Sequence, residues 1–198
     1  MSQDHVRRQI GGRGIPIYGH DIDTDRIMPA RFLKSVRFEG LEHHVFKDDR
    51  QQAPDHPFNQ PHYRGATILV VGRNFGSGSS REHAPEGLRR WGIRGVVGES
   101  FAEIFFGNCI ALGLPCLAVS ADDGAWLREA VARQPEQEIL LDVEHQLVRL
   151  GERTLQARIP DHARHQLLTG TWNTMGILLE AGNEIERLAQ GLPYVTGY

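Results

Sequence analysis

The chain has 198 residues, of which 22 are basic and 25 acidic, so its formal net charge is −3, and 40% of the residues are hydrophobic. The near balance of charge, with no long block of either sign, argues against nucleic acids and membrane surfaces as partners. A chain of this length can bury one good core, and we expect a single domain over residues 1–198.

Only two cysteines occur, Cys109 and Cys116, and both lie in apolar stretches. The sequence has no basic and then apolar leader, and no apolar stretch approaches the ~20 residues that span a bilayer. We therefore expect a soluble protein of the reducing cytoplasm, with both thiols in the core. An iron–sulfur cluster usually takes four thiolates, so any such cluster would have to lie on another chain.

The N-terminal third predicts short elements separated by turns. Residues 13–18 resemble a strand, whereas residues 19–26, with three aspartates within five positions, are typical of a loop. Residues 29–36 and 40–46 each favour the start of a short helix. The polar, proline-containing stretch 47–61 predicts a long surface excursion.

The middle of the chain has the clearest pattern, because strands alternate with helices and so indicate α/β layering. The predicted strands are 66–71, 95–98 and 115–119, with one helix ending near Trp91 and another at 101–112.

The last third predicts antiparallel strands that join the sheet, followed by a helical C-terminal segment over residues 161–190. Its predicted elements are a helix capped by Asp122 and ending near 133, strands at 138–143, 146–150 and 154–159, a helix from a cap at Asp161 to Gly170, and one or two helices over 173–190.

The strand at 66–71 runs into Gly72-Arg-Asn-Phe-Gly-Ser-Gly-Ser-Ser-Arg-Glu-His-Ala-Pro85, and we call residues 72–81 the serine turn. Its glycines let the backbone approach a ligand, and its paired hydroxyls and guanidinium suit an ionised small acid. No lysine follows the glycines as in a Walker loop, and Arg81 replaces the third glycine of a dinucleotide fingerprint. Neither adjacent serine is flanked by glycines as in a nucleophile elbow.

Two interpretations of the serine turn remain open at this point. Ser79-x-x-Glu82 has the spacing of a capping box that opens a helix. Pro85 argues that the regular helix starts later, which would leave residues 79–83 in an exposed turn. Free N–H groups and Arg81 would then stabilise a serine alkoxide or a carboxylate, and one arrangement could serve both roles.

Three motifs together resemble a known family. The segment 74–85, which includes most of the serine turn, is preceded by Asp23-Thr-Asp-Arg-Ile-Met-Pro-Ala-Arg-Phe-Leu-Lys34 and followed by Ser100-Phe-Ala-Glu-Ile-Phe-Phe-Gly-Asn108. In this order and spacing, from about residue 10 to about residue 190, the chain is similar to the small subunits of bacterial 3-isopropylmalate dehydratases, the separate swivelling domain of the aconitase superfamily.

The resemblance implies a single β/β/α swivelling domain of the α/β class, with a mixed sheet or barrel flanked by helices. It also implies a hydro-lyase of leucine biosynthesis that interconverts 2-isopropylmalate and 3-isopropylmalate. No cofactor or metal would be bound by this chain, and a 4Fe–4S cluster would lie on a large subunit docked against it. Ser79 would be the catalytic base, while Ser80 and Arg81 would hold a substrate carboxylate.

The resemblance also implies roles for residues around the serine turn. Asp25, with Glu82 and His83, would support the turn or its arginine. The loop 19–36 would recognise the variable substituent of the diacid, with an apolar Leu33 suited to an isopropyl group. Arg31 or Lys34 would offer a cation to an acidic substituent, so the discrimination is incomplete. A solvated surface turn is the alternative for this loop.

Several features leave the substrate open. Ser77, the 47–63 excursion and residues 172–174 differ from the commonest members, so a related diacid such as dimethylmalate, citraconate or a homoaconitate-type substrate is an alternative. A swivel module that binds without turnover is another.

Histidine spacings do not match a metal site, and we expect surface histidines at 43, 44, 56, 62, 162 and 165. The Arg89-Arg90-Trp91 segment predicts the polar face and packing end of a helix rather than a nucleic-acid patch.

Overall fold

The computed structural model describes residues 5–32, 40–78 and 82–174. Within them, a mixed sheet is flanked by helices. The strands are β1 (Gln9–Pro16), β2 (Ile68–Val70), β3 (Gly95–Gly98), β4 (Cys116–Ala118), β5 (Glu138–Asp142), β6 (Leu147–Leu150) and β7 (Arg153–Gln156). The helices are α1 (Thr24–Ile27), α2 (Lys47–Gln52), α3 (His83–Trp91), α4 (Glu103–Ala111), α5 (Ala121–Arg133) and α6 (Asp161–Thr169).

The sheet has seven strands in the order β4-β3-β2-β1-β5-β6-β7. Strands β1 to β4 pair in parallel, and we call them the parallel half. Strand β1 also pairs antiparallel with β5, and β5, β6 and β7 continue as an antiparallel meander, the antiparallel half. This is the predicted mixed sheet.

The parallel half forms the centre of the core. Every residue of β2 and β3 is buried, as expected for strands covered on both faces. The helices α3 and α4 connect β2 to β3 and β3 to β4, and α5 packs against β1 and β2. Cys109 and Cys116 are buried free thiols, which confirms their predicted place in the core.

The stretch 47–61 lies at the surface apart from Phe58, but it is not the irregular excursion that was predicted. It contains α2 and two 3₁₀ turns, Pro57–Asn59 and Pro61–Tyr63. Phe58 is buried between Phe46 and Trp91, with ring centroids 5.0 and 4.5 Å apart. The rings of Phe46 and Trp91 hold Phe58 in a segment that is otherwise mainly polar. Its sequence therefore shows no hydrophobic periodicity that would predict this packing.

The N-terminal predictions need correction as well. Strand β1 starts at Gln9, earlier than predicted, because Gln9 pairs with Asp142 of β5. The predicted loop at 19–26 contains α1, whose first turn is capped by the Asp23 carboxylate. A 3₁₀ turn at Leu41–His44 stands in place of the helix predicted at 40–46. Another 3₁₀ turn, Ala30–Phe32, lies at the start of the helix predicted at 29–36, whose residues 33–36 are outside the described residues.

Two helix caps differ from those predicted. Ser120, not Asp122, caps α5, because its hydroxyl accepts a hydrogen bond from the Asp123 N–H. Helix α6 begins at Asp161, with Pro160 in the cap position, and ends at Gly170 in the left-handed conformation, as predicted. The other strands and helices lie close to their predicted bounds, and the prediction of helix beyond residue 174 falls outside the described residues. No helix in the described ranges is long and apolar enough to cross a membrane.

Candidate active site

The serine turn leaves the carboxyl end of β2 against the loop that follows β1. The Asp21 N–H donates to the Arg73 carbonyl at 2.9 Å, and the Arg73 N–H donates to Nδ1 of His20, also at 2.9 Å. A Cβ at Gly72 would lie 2.2 Å from the Gly19 carbonyl oxygen, so only glycine allows the two backbones to approach this closely. The first residues of the turn are therefore fixed by backbone contacts.

The Asp21 side chain ties the same two loops together. Its carboxylate accepts from the Asn74 amide at 2.9 Å and from the Arg73 guanidinium at 3.1 Å. Hydrogen bonds from Asn74 and then from Arg73 lower the pKa of Asp21, which keeps it ionised as an acceptor. Both Asp21 and Asn74 adopt positive φ angles, of 55° and 52°.

The loop after β3 holds the opposite side of the turn. The Asn74 N–H donates to the Ser100 hydroxyl at 2.8 Å, and the Phe75 N–H donates to the Ser100 carbonyl at 3.1 Å. The Ala102 N–H returns a hydrogen bond to the Phe75 carbonyl at 3.0 Å. The serine turn is thus a middle layer between the loops that follow β1 and β3.

The last described residues of the turn lie against α1 and α4. Gly76 donates to the Ile22 carbonyl at 2.8 Å, and the Thr24 N–H donates to the Ser77 carbonyl at 2.8 Å. Gly76 has a φ of 80°, and a Cβ there would lie 2.1 Å from Cγ of Phe105. The chain therefore enters residue 79 from a segment with a fixed path.

The helix after the turn begins at His83, with Glu82 in the cap position and no side-chain cap hydrogen bond. The φ and ψ angles of Glu82 are nevertheless helical, and Ser79, its partner in a capping box, falls outside the described residues, so the capping box stays a prediction. Pro85 is tolerated because the first turn of a helix has no carbonyl partner for its missing N–H. His83 lies inside the helix rather than in the exposed turn that Pro85 suggested.

The predicted site residues divide into two groups. Ser79, Ser80 and Arg81 lie outside the described residues, as do Leu33 and Lys34. The others surround the two gaps: Asp25 is exposed in α1, Arg31 is exposed in its 3₁₀ turn, Glu82 is exposed before α3, and His83 is half-buried.

Arg31 is already engaged by protein groups. Its guanidinium binds both carboxylate oxygens of Asp48, with Nη1 to Oδ2 at 2.8 Å, and lies over the Phe32 ring at 4.6 Å. Hydrogen bonding to Asp48 raises the pKa of Arg31, and the same contact lowers the pKa of Asp48. A substrate group would have to compete with this pair.

Sequence reasoning missed Asp21 and Ser100 as supports of the turn. The dense aspartates of residues 21–25 were a signal, but the family resemblance gave a role only to Asp25. The Asp21 side chain also contacts the turn, and Asp23 caps α1. Ser100 lies in the segment 100–108 that carries part of the family resemblance, but no role was predicted for it.

A cleft of about 310 Å³ opens beside the turn. Its described lining is Glu82, Glu86, Asn108, Ala111 and Leu112. Two of these described lining residues, Glu82 and Glu86, are carboxylates.

Both arginines of α3 bind the Glu86 carboxylate, Arg89 at 2.8 Å and Arg90 at 2.6 Å. Burial tends to raise the pKa of Glu86, but these hydrogen bonds outweigh it and lower the pKa. The predicted polar helix face is confirmed, and Trp91 packs on Phe58 as its packing end.

The histidine prediction is confirmed at exposed positions 43, 62, 162 and 165 and wrong at two positions. His44 is partly buried and stacks on Phe32 with ring centroids 3.7 Å apart. His56 is partly buried against Phe46 and Phe58. Across the described ranges, no group of three or more His, Cys, Asp or Glu residues is arranged to hold a metal ion.

Comparison with known proteins identifies the family. Residues 17–122 match the family described as the aconitase C-terminal domain. A 3-isopropylmalate dehydratase small subunit of Thermus thermophilus is 50% identical over 189 residues, with 93% of this chain and 94% of that protein covered. The corresponding small subunit of a Synechocystis species is 48% identical, with 95% and 94% covered.

A solved structure agrees with these relatives. The crystal structure of 3-isopropylmalate dehydratase from Methanocaldococcus jannaschii superposes with a TM-score of 0.66 at 25% identity, covering 88% of this chain and 99% of that one. Its fold and the sequence relatives match most of the chain. The chain therefore belongs to the aconitase C-terminal domain family and, within it, to the small subunits of 3-isopropylmalate dehydratase.

Proposed function

We propose that this chain works with a cluster-bearing large subunit to interconvert 2-isopropylmalate and 3-isopropylmalate by dehydration and rehydration, as a step of leucine biosynthesis. The observation that carries the proposal is the set of hydrogen bonds that hold residues 72–78 of the serine turn. The loops that follow β1 and β3 hold residues 72–78 from both sides, and this fixed segment leads directly into Ser79. Such support suits a residue that must be held in one orientation toward a substrate.

In the proposed mechanism, Ser79 removes the proton from the carbon next to a substrate carboxylate. A serine hydroxyl is a weak base, so its alkoxide needs nearby positive charge and N–H donors. Arg81 and the N–H groups at the start of α3 are the candidates for this stabilisation. Ser80 and Arg81 hold the carboxylate as negative charge develops on it.

The hydroxyl that leaves in dehydration needs an acid from outside this chain. Because the chain has two cysteines, both buried, it does not supply four thiolate ligands for a cluster. A 4Fe–4S cluster on the large subunit would supply a Lewis acid for that group. The active site would lie between the two subunits.

Asp25, Glu82 and His83 flank the two gaps in the described chain and are proposed to support the catalytic segment. Residues 19–36 are proposed to form the substrate-recognition loop of a single swivel domain that spans residues 1–198, with 161–190 as its C-terminal helical segment. Leu33 would contact the isopropyl group. Arg31 is paired with Asp48 and Arg26 with Asp49, so neither guanidinium could meet an acidic substituent without breaking an ion pair, which favours an apolar substituent.

Anaerobic reconstitution with an isopropylmalate-type large subunit tests this proposal. The wild-type pair should isomerise isopropylmalate, and Ser79→Ala should lower kcat by about 10²- to 10⁴-fold, the usual contribution of a general base. Ser77→Ala is the matched control, because it removes a hydroxyl from the same turn whose contact is a 3.4 Å hydrogen bond to the Asp21 carbonyl.

Full activity of Ser79→Ala would exclude Ser79 as the base. A panel of related diacids, compared by kcat/KM, separates the isopropylmalate assignment from another substrate. An assembled pair that is inactive on every diacid would favour a swivel module that binds without turnover.

A further inference from the structure

A buried ion pair lies beneath residues 71 and 72, where the serine turn begins, and we call these residues the root of the turn. Arg128 of α5 and Glu99, the first residue after β3, are joined by a contact of 2.9 Å between Nη2 and Oε1, with side chains only 10% and 11% exposed. The proposed mechanism uses neither residue. Burying two charges is costly and a buried pair is often no more stabilising than apolar residues, so its presence needs another explanation.

The pair contacts the root of the turn directly. Nη1 of Arg128 donates to the Val71 carbonyl at 2.7 Å, immediately before Gly72, and the Glu99 N–H donates to the Gly72 carbonyl at 3.3 Å. Hydrogen bonds from a charged donor are stronger and more directional than neutral ones. The guanidinium therefore joins the carboxyl end of β2 to that of β3 in one geometry.

The loop after β1 is reached as well. The second carboxylate oxygen of Glu99 lies 3.9 Å from Nδ1 of His20, the atom that accepts from the Arg73 N–H. The approach of α5 is close, because a Cβ at Gly124 would lie 3.1 Å from Cγ of Glu99. The ion pair thus bonds to the start of the serine turn and of the loop after β3, and it lies beside the loop after β1.

We propose that Arg128 and Glu99 are positioning residues for the reaction, which fix the root of the serine turn so that the segment 79–81 is presented in one orientation. This inference rests on the proposed role of Ser79. The competing possibility is a pair that supports only the overall stability of the fold.

Asp142 in β5 provides a matched control. It is also a buried carboxylate, 1% exposed, and accepts from the Gln9 amide and the His145 N–H, each at 2.8 Å. It belongs to the antiparallel half. Glu99→Gln and Asp142→Asn are both acid-to-amide changes of nearly equal size at buried, hydrogen-bonded sites.

Both variants should unfold at a lower temperature than the wild type, because each loses charge-assisted hydrogen bonds. In the reconstituted pair, Glu99→Gln should lower kcat by about 10- to 100-fold, the range expected when reacting groups are misplaced by about 1 Å. Asp142→Asn should keep the wild-type kcat. Arg128→Lys should keep the charge but lose the two-pronged contact, so its kcat should lie between those of the wild type and Arg128→Met.

Hydrogen exchange followed by mass spectrometry tests positioning without turnover. In the full-length chain, Glu99→Gln and Arg128→Lys should raise exchange in peptides covering residues 72–78, and Asp142→Asn should not. Equal exchange in this segment, or equal kcat for Glu99→Gln and Asp142→Asn, would overturn the inference. If the wild-type pair is inactive on every diacid, the proposed function fails and the exchange result still decides the positioning role; if Glu99→Gln does not fold, Arg128→Lys decides it.

Discussion

The two halves of the sheet contain similar turn residues, but these residues serve different purposes. In the parallel half, Asp21, Asn74 and Gly76 adopt positive φ angles, and their turns are bound by neighbouring loops. In the antiparallel half, Gln146 and Gly151 also have positive φ angles, of 55° and 59°, but they lie in the hairpin turns that connect β5 to β6 and β6 to β7. The same backbone conformation builds a candidate site in one half and only closes a hairpin in the other.

The difference follows from strand direction. Parallel strands place their carboxyl ends at one edge, so the loops after β1, β2 and β3 meet there and contact one another. Antiparallel neighbours place successive turns at opposite edges, so the two hairpin turns do not meet each other. A left-handed residue in the parallel half is therefore coupled to residues far away in the chain.

Two glycine replacements give the largest expected contrast between the halves. Gly76→Ala and Gly151→Ala both force an L residue into the left-handed region, at a cost of about 1–2 kcal/mol each. At Gly76 the new Cβ would also meet the Phe105 ring at 2.1 Å, whereas at Gly151 it would meet the end of the flexible Gln137 side chain at 2.5 Å. Displacing the ring adds about 1–3 kcal/mol, so Gly76→Ala should lose the more stability.

Urea denaturation of both glycine variants measures this difference, and the activity of each assembled pair shows whether the turn has moved. Equal losses of the free energy of unfolding would contradict the comparison.

Removing either of two helix caps should lower stability by an intermediate amount. The Asp23 carboxylate accepts from the Arg26 N–H at 2.8 Å, and the Ser120 hydroxyl accepts from the Asp123 N–H at 3.2 Å. Asp23→Ala and Ser120→Ala should each lower the free energy of unfolding by about 1 kcal/mol. Only Asp23→Ala should also lower kcat, because α1 is bonded directly to the serine turn; a similar kcat loss from Ser120→Ala would show that capping alone explains it.

The smallest expected effect on stability is that of replacing His56, and it depends on pH. Burial against Phe46 and Phe58 lowers the pKa of His56, although the charge of Asp49 opposes this shift. The unfolded chain, with an ordinary pKa of about 6.5, then binds a proton before the folded chain does. The stability linked to His56 is therefore complete above that pH and is lost as the pH falls through the lower folded pKa.

His56→Gln should flatten the fall in stability below about pH 6.5, by less than the loss of a helix cap. His162→Gln, which removes an exposed imidazole from α6, is the control. Thermal unfolding from pH 7.5 to pH 5 measures both variants, and identical curves for the two would exclude a special contribution from His56.

Local chemistry explains which predictions were confirmed. The β3 strand at 95–98, the end of α3 at Trp91 and the end of α6 before Gly170 follow from apolar runs and helix-stop signals that act within a few residues. Segment 47–61 was mispredicted because its order depends on Phe58 packing against Trp91, which is distant in the chain. The residue that caps α5 was misplaced because neighbouring Ser120 and Asp122 are both good capping types.

The sequence by itself determined the class of fold and the family, because composition and motif spacing are properties of the chain alone. It also predicts the segment 79–81 as the place of the chemistry. Only the tertiary structure decided which groups support that segment. Asp21 and Ser100 meet the turn across the edge of the sheet, and Arg128 reaches Val71 from α5. Such contacts join residues far apart in sequence, and they form only when parallel strands bring their carboxyl ends together.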